Sequence, residues 1–384
     1  MQIYLDYNAT TPIDNSVLEA MLPYLTTNFG NAASRAHAFG WIASEAVELA
    51  REQVAALIRA SAEEIIFTSG ATEGCNLALK GIFEQYKTKG NHIITTATEH
   101  PAVLDTCKHI EQLGGEVTYL PVNEAGLINL NDLENTIKPA TILISAMYAN
   151  NETGVINPIN LIGQIARKHR VLFFTDATQA VGKIPIDVEK DGIDILTLSA
   201  HKIYGPKGVG AVYKRRKNPR VTFIPQIDGG GHERGFRSGT LNVPGIAGLG
   251  KACAIAAAEM TNHEKNIRLL RDKLENELLQ IPHTHLNGSK EKRLYNTANI
   301  SFDNVNANLL IAAINKNIAV SSGSACASAT LQPSHVLMAM NKNERRAKTA
   351  IRFSLGKYTT LQEIDYTIEK ITLAVERLRA LNIE

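Results

Sequence analysis

Excess charge of either sign is what this chain has least of: 40 lysines and arginines stand against 38 aspartates and glutamates, a net charge of +2. A nucleic-acid binder carries a clear positive excess and an acidic solvating protein a negative one, so the balance argues against both. Four cysteines, at 75, 107, 253 and 326, share no metal-ligand spacing and suit a reducing compartment. No apolar run approaches the ~20 residues needed to span a bilayer. The start, Met1-Gln2-Ile3-Tyr4-Leu5, has neither the basic flank nor the apolar core of a signal peptide, which makes the cytoplasm the expected location, with no membrane contact. Neither a repeat with a period of roughly 20–50 residues nor a low-complexity tract is present. What remains is an ordinary globular composition, 44% hydrophobic and 20% charged over 384 residues, too long for one small core.

Strand and helix signals alternate along it. Apolar residues at helical spacing (Ile42, Ala46, Leu49, Ala50, Val54, Leu57) mark a long helix from about Gly40 to Arg59. Short β-rich runs follow at Glu64–Thr68, His92–Thr96, Val117–Leu120, Thr141–Met147, Val171–Asp176 and Ile193–Leu198, separated by helical stretches. The pattern predicts an α/β protein with a mostly parallel sheet covered by helices. An alanine-rich helix, Ile246–Met260, passes into a charged one, His263–Leu279, which reads as the link to a second domain. Alternation resumes from Ile281 and closes with a helix from Leu361 to Leu381. The expected division is an N-terminal segment 1–15 packing near the small domain, a large domain 16–255, and a small α/β domain 256–384. Lys214-Arg215-Arg216-Lys217 reads as a solvated basic face, and Gly229–Gly235 as a flexible loop.

Four stretches carry chemistry. Leu196-Thr197-Leu198-Ser199-Ala200-His201-Lys202 is a strand that delivers a lysine to its carboxyl end, where a dry crevice would disfavour the ammonium and make the amine nucleophilic toward a carbonyl. A second strand, Val171–Phe174, ends at Asp176, close enough in sequence for one crossover to bring both strand ends together. Alone, Asp176 reads as a helix N-cap. Beside Lys202 it is the carboxylate that would keep the pyridine nitrogen of pyridoxal phosphate protonated, with Gln179 placed to donate to the phenolate oxygen. Ser69-Gly70-Ala71-Thr72-Glu73 is a strand–turn–helix start whose Ala71 and Thr72 amides and Thr72 hydroxyl suit a phosphate dianion. Finally, Cys326 sits among small polar residues without apolar periodicity, the setting of a reactive thiol on a mobile loop at about 320–335, whereas Cys75, Cys107 and Cys253 lie in helical patterns as buried hydrophobes.

Together with Tyr4–Pro12, Thr98-Glu99-His100, Asn150-Asn151-Glu152 and Arg237-Ser238-Gly239-Thr240, these stretches resemble the cysteine desulfurases of the housekeeping iron–sulfur and nitrogen-fixation type. That group lies in the class V aminotransferase family of fold-type I pyridoxal phosphate enzymes, and the resemblance covers essentially the whole chain. It implies a homodimer acting on L-cysteine. Lys202 would carry the cofactor and move the substrate α-proton, Asp176 and Gln179 would hold the ring, and His100 would stack on it and act as acid and base. Thr72, Ser199, His201 and the Ala71 amide would hold the phosphate, joined by Thr240 from the other subunit. Asn31, Asn151 and Arg352 would fix the substrate, Arg352 by a fork to its carboxylate. Cys326 would take the sulfur as a persulfide and pass it to acceptor proteins, transiently ligating a cluster with a scaffold at most; no resident metal is implied.

Two departures limit the carry-over. Ala32 stands where the family has proline, and the chain ends at Leu381-Asn382-Ile383-Glu384 without the extension many members use to dock a scaffold. The acceptor (iron–sulfur scaffold, tRNA-thiolation relay or DNA-sulfur pathway) therefore stays open. So do a selenocysteine lyase, a class V aminotransferase, for which Cys326 would be superfluous, and a catalytically idle partner protein.

Overall fold

The computed structural model describes residues 2–322, 333–341 and 343–381. Its strands are β1 Ile3–Tyr4, β2 Ile65–Thr68, β3 His92–Thr96, β4 Glu116–Leu120, β5 Thr141–Ser145, β6 Leu172–Asp176, β7 Ile195–Ser199, β8 Gly210–Lys214, β9 Thr284–Leu286, β10 Thr297–Phe302, β11 Ile318–Ala319 and β12 Ala350–Ser354. Its helices are α1 Asn15–Leu25, α2 Ala38–Leu57, α3 Ala71–Tyr86, α4 Pro101–Gln112, α5 Leu130–Thr136, α6 Ile159–His169, α7 Val243–Leu278, α8 Ala307–Ile314, α9 His335–Asn341, α10 Glu344–Lys348 and α11 Leu361–Ala380.

Seven strands form the main sheet in the order β2-β8-β7-β6-β5-β3-β4. The pairs from β7 through β4 are parallel, and β8 runs antiparallel to both its neighbours. Every residue of β3, β5, β6 and β7 is buried, as expected of strands covered on both faces. The β6–β7 register sets Asp176 opposite Thr197, so the carboxyl ends of these two strands lie side by side. A second sheet, β12-β10-β9, is antiparallel. The short β1 leaves the main sheet altogether and pairs in parallel with β11, while Asp6 bridges Ser354 at the end of β12.

The linking helix differs from the sequence reading. Instead of two helices there is one, α7, of 36 residues and about 54 Å. After Gly250 no glycine or proline interrupts it until Pro282, so nothing stops the helix where its composition changes. That change marks a change of surroundings: Val243, Ile246, Leu249 and Cys253 belong to the main core, and Ile267, Leu274 and Leu278 to the core under the second sheet. By length and composition α7 could cross a membrane, but half of its most apolar window is buried inside the protein.

Two other expectations are corrected. Lys214 and Arg215 of the basic run point inward, and only Arg216 and Lys217 are exposed. The Arg215 guanidinium pairs with Asp194 at 3.0 Å and donates to the carbonyls of Ile193 and Val188 at 2.8 and 2.9 Å. Lys214 Nζ donates to Val221 O and stands 4.4 Å from the centre of the Phe236 ring. Desolvated charges persist when every donor is answered, and here the partners come from remote segments that the run itself does not announce. The loop Gly229–Gly235 is likewise anchored. Glu233 is buried, receives Arg51 of α2 through both terminal nitrogens at 2.8 and 2.9 Å, and accepts from Phe67 N of β2 at 2.7 Å.

Because removing one partner leaves a buried guanidinium uncompensated, Glu233→Gln is expected to cost about 3 kcal/mol. Urea unfolding measures it, and a loss below about 1 kcal/mol, the range of an exposed pair, would contradict the anchoring role.

Candidate active site

A cleft of about 570 Å³ opens outside the carboxyl ends of β6 and β7, against the first turn of α3. This is where open α/β sheets place their ligands. Ala71, Thr72, His100, Asn151, Asp176, Gln179, Ser199, His201, Lys202 and Arg352 all line it. Asn31 and Thr240 do not: both are exposed, and Asn31 Oδ1 accepts from Ala33 N at 2.9 Å. Cys326 lies outside the described residues.

One wall is the start of α3. Its N-cap is Gly70, at φ +154°, a conformation only glycine adopts readily, and no side chain caps the helix. The first-turn amides therefore face outward with the positive helix end. Glu73 accepts from Ser69 N at 2.8 Å and pairs with Arg237 at 2.9 Å, so its charge is turned away into an ion pair. Gly74 lets the helix press on β7: a Cβ there would stand 2.1 Å from Thr197 Oγ1. The first turns of α3 thus pack directly on β7, the Gly74 backbone against the Thr197 side chain.

The opposite wall centres on Lys202, at the end of the short 3-10 turn Ala200–Lys202 after β7. The sequence predicts a dry crevice, yet the side chain is half-buried and its Nζ donates to two backbone carbonyls, Asn8 O at 2.6 Å and Ala9 O at 2.7 Å. The N-terminal segment supplies both acceptors. Asn8 was invisible as a site residue because it acts through its main chain; the surrounding Tyr4–Pro12 stretch is the available signal.

Asp176 is buried at the end of β6, its Oδ1 accepting from Thr178 N at 2.9 Å and Oδ2 lying 3.9 Å from Cys75 Sγ. His100 caps α4, with Nδ1 accepting from Ala102 N at 3.1 Å, which leaves the ring proton on Nε2. Burial holds its imidazole below the ordinary range, with the Lys202 charge adding to that and Asp176 opposing it. His201 is pulled down to about 4 by burial and by the ammonium groups of Lys202, Lys207 and Lys183. Both imidazoles are neutral at pH 7. Arg352, on β12, donates to Asp6 Oδ1 at 2.6 Å and Asn151 O at 3.0 Å, so its fork is already engaged.

The donor set fits pyridoxal phosphate: an amine, a buried carboxylate, and an uncapped helix terminus beside Ser199 and His201. Thr178 Oγ1 adds a buried hydroxyl on the cleft wall with no protein partner among the described residues.

Two carboxylic acids beside the cleft escaped sequence reasoning. Glu99 is pushed up to about 8 by burial, against hydrogen bonds from Met147 N and Thr96 Oγ1. Glu152 is pushed up to about 7, again by burial, and accepts from Ser334 Oγ. An acid wedged between a strand end and His100, and one inside Asn150-Asn151-Glu152, were the only hints.

The model of the aminotransferase class-V family matches residues 3–367. The chain is 53% identical over 384 residues to a protein of Histophilus somni (strain 129Pt) named cysteine desulfurase IscS, covering all of this chain and 95% of that one. It is 53% identical over 381 residues to a protein of the same name from Anaeromyxobacter dehalogenans, covering 99% and 94%. Among solved structures it superposes on a NifS-like protein with a TM-score of 0.92 at 40% identity, covering 98% of this chain and all of the other. A structure described as SspA in complex with cysteine gives a TM-score of 0.82 at 36% identity, covering 94% and 100%.

The raised pKa of Glu99 carries a sign that can be checked. In the folded state the carboxyl holds its proton to about 8, whereas unfolded it loses it near 4.5, so the folded protein binds more protons between those values. Wild-type stability relative to Glu99→Gln is therefore expected to fall as pH rises from 4.5 to 8. Thermal unfolding of both proteins across that range tests it, and a constant difference would contradict it.

Proposed function

The chain belongs to the aminotransferase class-V family and is a cysteine desulfurase; from that premise we propose how its side chains divide the work. The observation that carries the reading is the convergence of Lys202, Asp176, His100 and the amide-bearing start of α3 on one cleft. Pyridoxal phosphate bound there would supply an electron sink for the substrate's reacting carbons. The first-turn amides of Ala71 and Thr72, the Thr72 hydroxyl, Ser199 and neutral His201 would hold its phosphate, with Thr240 of the partner subunit completing the set in a homodimer. Asp176 would receive the pyridinium N–H and Gln179 would donate to the phenolate oxygen, while Lys202 forms the covalent attachment.

L-cysteine would be held by Asn151 and Arg352, which line the cleft; Asn31, outside the cleft of a single chain, is left out of that set. Because Asp6 already occupies the arginine's fork, a substrate carboxylate competes with Asp6 for it. Lys202 Nζ would take the proton from the substrate Cα, and His100, bearing its proton on Nε2, would serve as acid and base toward the substrate. The Cys326 thiolate attacks the substrate sulfur, the C–S bond breaks with its electron pair retained on the carbon side, and proton addition there yields alanine. The sulfur remains on Cys326 as a persulfide for an acceptor protein, of which an iron–sulfur scaffold is our first choice. The setting we propose is the cytoplasm, and the organisation is 1–15, 16–255 and 256–384.

Purified protein loaded with pyridoxal phosphate should turn yellow and release alanine from L-cysteine, with sulfide when a reducing thiol is present. Lys202→Ala is expected to lose at least about 10²-fold in rate, the low end for a positioned proton-transfer group. Cys326→Ala should stay yellow and fail to release sulfide. Sulfide release by Cys326→Ala at the wild-type rate would sink the persulfide route and favour a lyase.

A further inference from the structure

Lys183 is a buried lysine that does not touch the cleft. It sits in the double turn after β6, and its Nζ makes two hydrogen bonds, both to Gln179: the backbone O at 3.1 Å and Oε1 at 2.8 Å. This contact decides which way the Gln179 amide faces. A lysine nitrogen offers hydrogens, so the amide oxygen must point at it, and Nε2 must point the other way. On that side Nε2 donates to Asn8 O at 2.9 Å, the carbonyl that also receives Lys202 Nζ. An amide nitrogen has two hydrogens, and among the described residues the second has no protein acceptor, while Gln179 lines the cleft.

We propose that Lys183 is a positioning residue of the cofactor site, holding the Gln179 amide so that its second N–H is presented to the phenolate oxygen of pyridoxal phosphate. The inference rests on the cofactor reading above. Burial, with Lys202 and Arg352 adding repulsion, pulls Lys183 down to about 7. Charged or neutral, the nitrogen keeps at least two hydrogens, so its hold on Gln179 survives that titration. Behind it lies a small cavity whose titratable lining includes Tyr7, Asp14, Tyr204, His263, Tyr295 and Lys357.

The test uses the pH at which the visible band of cofactor-loaded, substrate-free protein changes, in wild type, Lys183→Met, Gln179→Met and the double variant. A donor on the phenolate oxygen eases loss of the neighbouring nitrogen's proton, so removing it raises the midpoint. Lys183→Met and Gln179→Met are each expected to raise it by about one pH unit, a tenfold change in the proton equilibrium, and the double variant no further than Gln179→Met alone. An unchanged midpoint in Lys183→Met overturns the inference. So does a full additional shift when Lys183→Met is added to Gln179→Met, which would make the lysine a through-space charge only. Lys183→Gln, uncharged but still a donor, is expected to stay near wild type, and a full-size shift there overturns the proposal even where Lys183→Met does not fold. Wild-type protein that takes up no pyridoxal phosphate would sink the cofactor reading itself.

Discussion

The main-chain oxygen of Asn8 is the point on which the active site depends. It accepts from Lys202 Nζ at 2.6 Å and from Gln179 Nε2 at 2.9 Å, and so joins the two strand-end turns that face the cleft. The rest of Asn8 reaches the other way. Its amide nitrogen donates to Thr297 Oγ1 and Asn151 O at 3.0 and 3.2 Å, its Oδ1 accepts from Asn296 at 3.1 Å, and its backbone N–H goes to Ser354 Oγ at 3.0 Å. One residue thereby uses nearly all its hydrogen-bonding capacity to tie the main sheet, the second sheet and the N-terminal strand together. A buried polar network of this kind fixes geometry only when each member is satisfied.

Two ways of burying charge divide the molecule. Away from the cleft, buried charged side chains are paired: Arg51 with Glu233, Arg215 with Asp194, Arg293 with Glu275 at 2.5 Å. These pairs hold walls in place, each guanidinium facing a carboxylate across a short contact. Around the cleft, Glu99, Glu152 and Lys183 are buried without that compensation and are driven toward neutrality instead. With His100 and His201 also held neutral, Lys202, Lys207, Arg352 and the α3 terminus bring positive charge to the cleft, against the carboxylates of Asp176 and the ion-paired Glu73. That positive field suits a site meant for a phosphate and a carboxylate.

What could be read from the sequence follows from the same distinction. Asp176 and Lys202 are legible because each ends an apolar run whose strand character is local, and the Ser69–Glu73 turn because a glycine between a strand and a helical pattern is a visible signal. The buried state of Cys75, Cys107 and Cys253 follows from helical periodicity. Asn8 works through its carbonyl, which no side-chain pattern reveals. Lys214 and Arg215 look like a solvated pair until Asp194 and Val221 are brought to them by the fold. Asn31 and Thr240, carried over by resemblance, do not reach the cleft of a single chain.

The two halves of the site are held by different means. The start of α3 packs directly on the sheet: Gly74 lies against the Thr197 side chain of β7, and Gly210 of β8 is so close to Gly70 that a Cβ there would stand 2.8 Å from the Gly70 Cα. Asp176 is fixed within its own turn by Thr178 N. The separation between the phosphate turn and Asp176 is thus set by the pairing of β2, β8, β7 and β6, rigid elements of one sheet. The Lys202 amine is different, because its acceptors belong to a segment whose strand, β1, pairs with β11, and whose Asp6 is held by Arg352. A displacement of the second sheet would therefore carry Asn8 O with it and be felt at the lysine, while the aspartate and the phosphate turn stayed where they are. A substrate carboxylate bound to Arg352 as proposed would act on that same connection, since it would compete with Asp6 for the arginine whose grip helps to place Asn8.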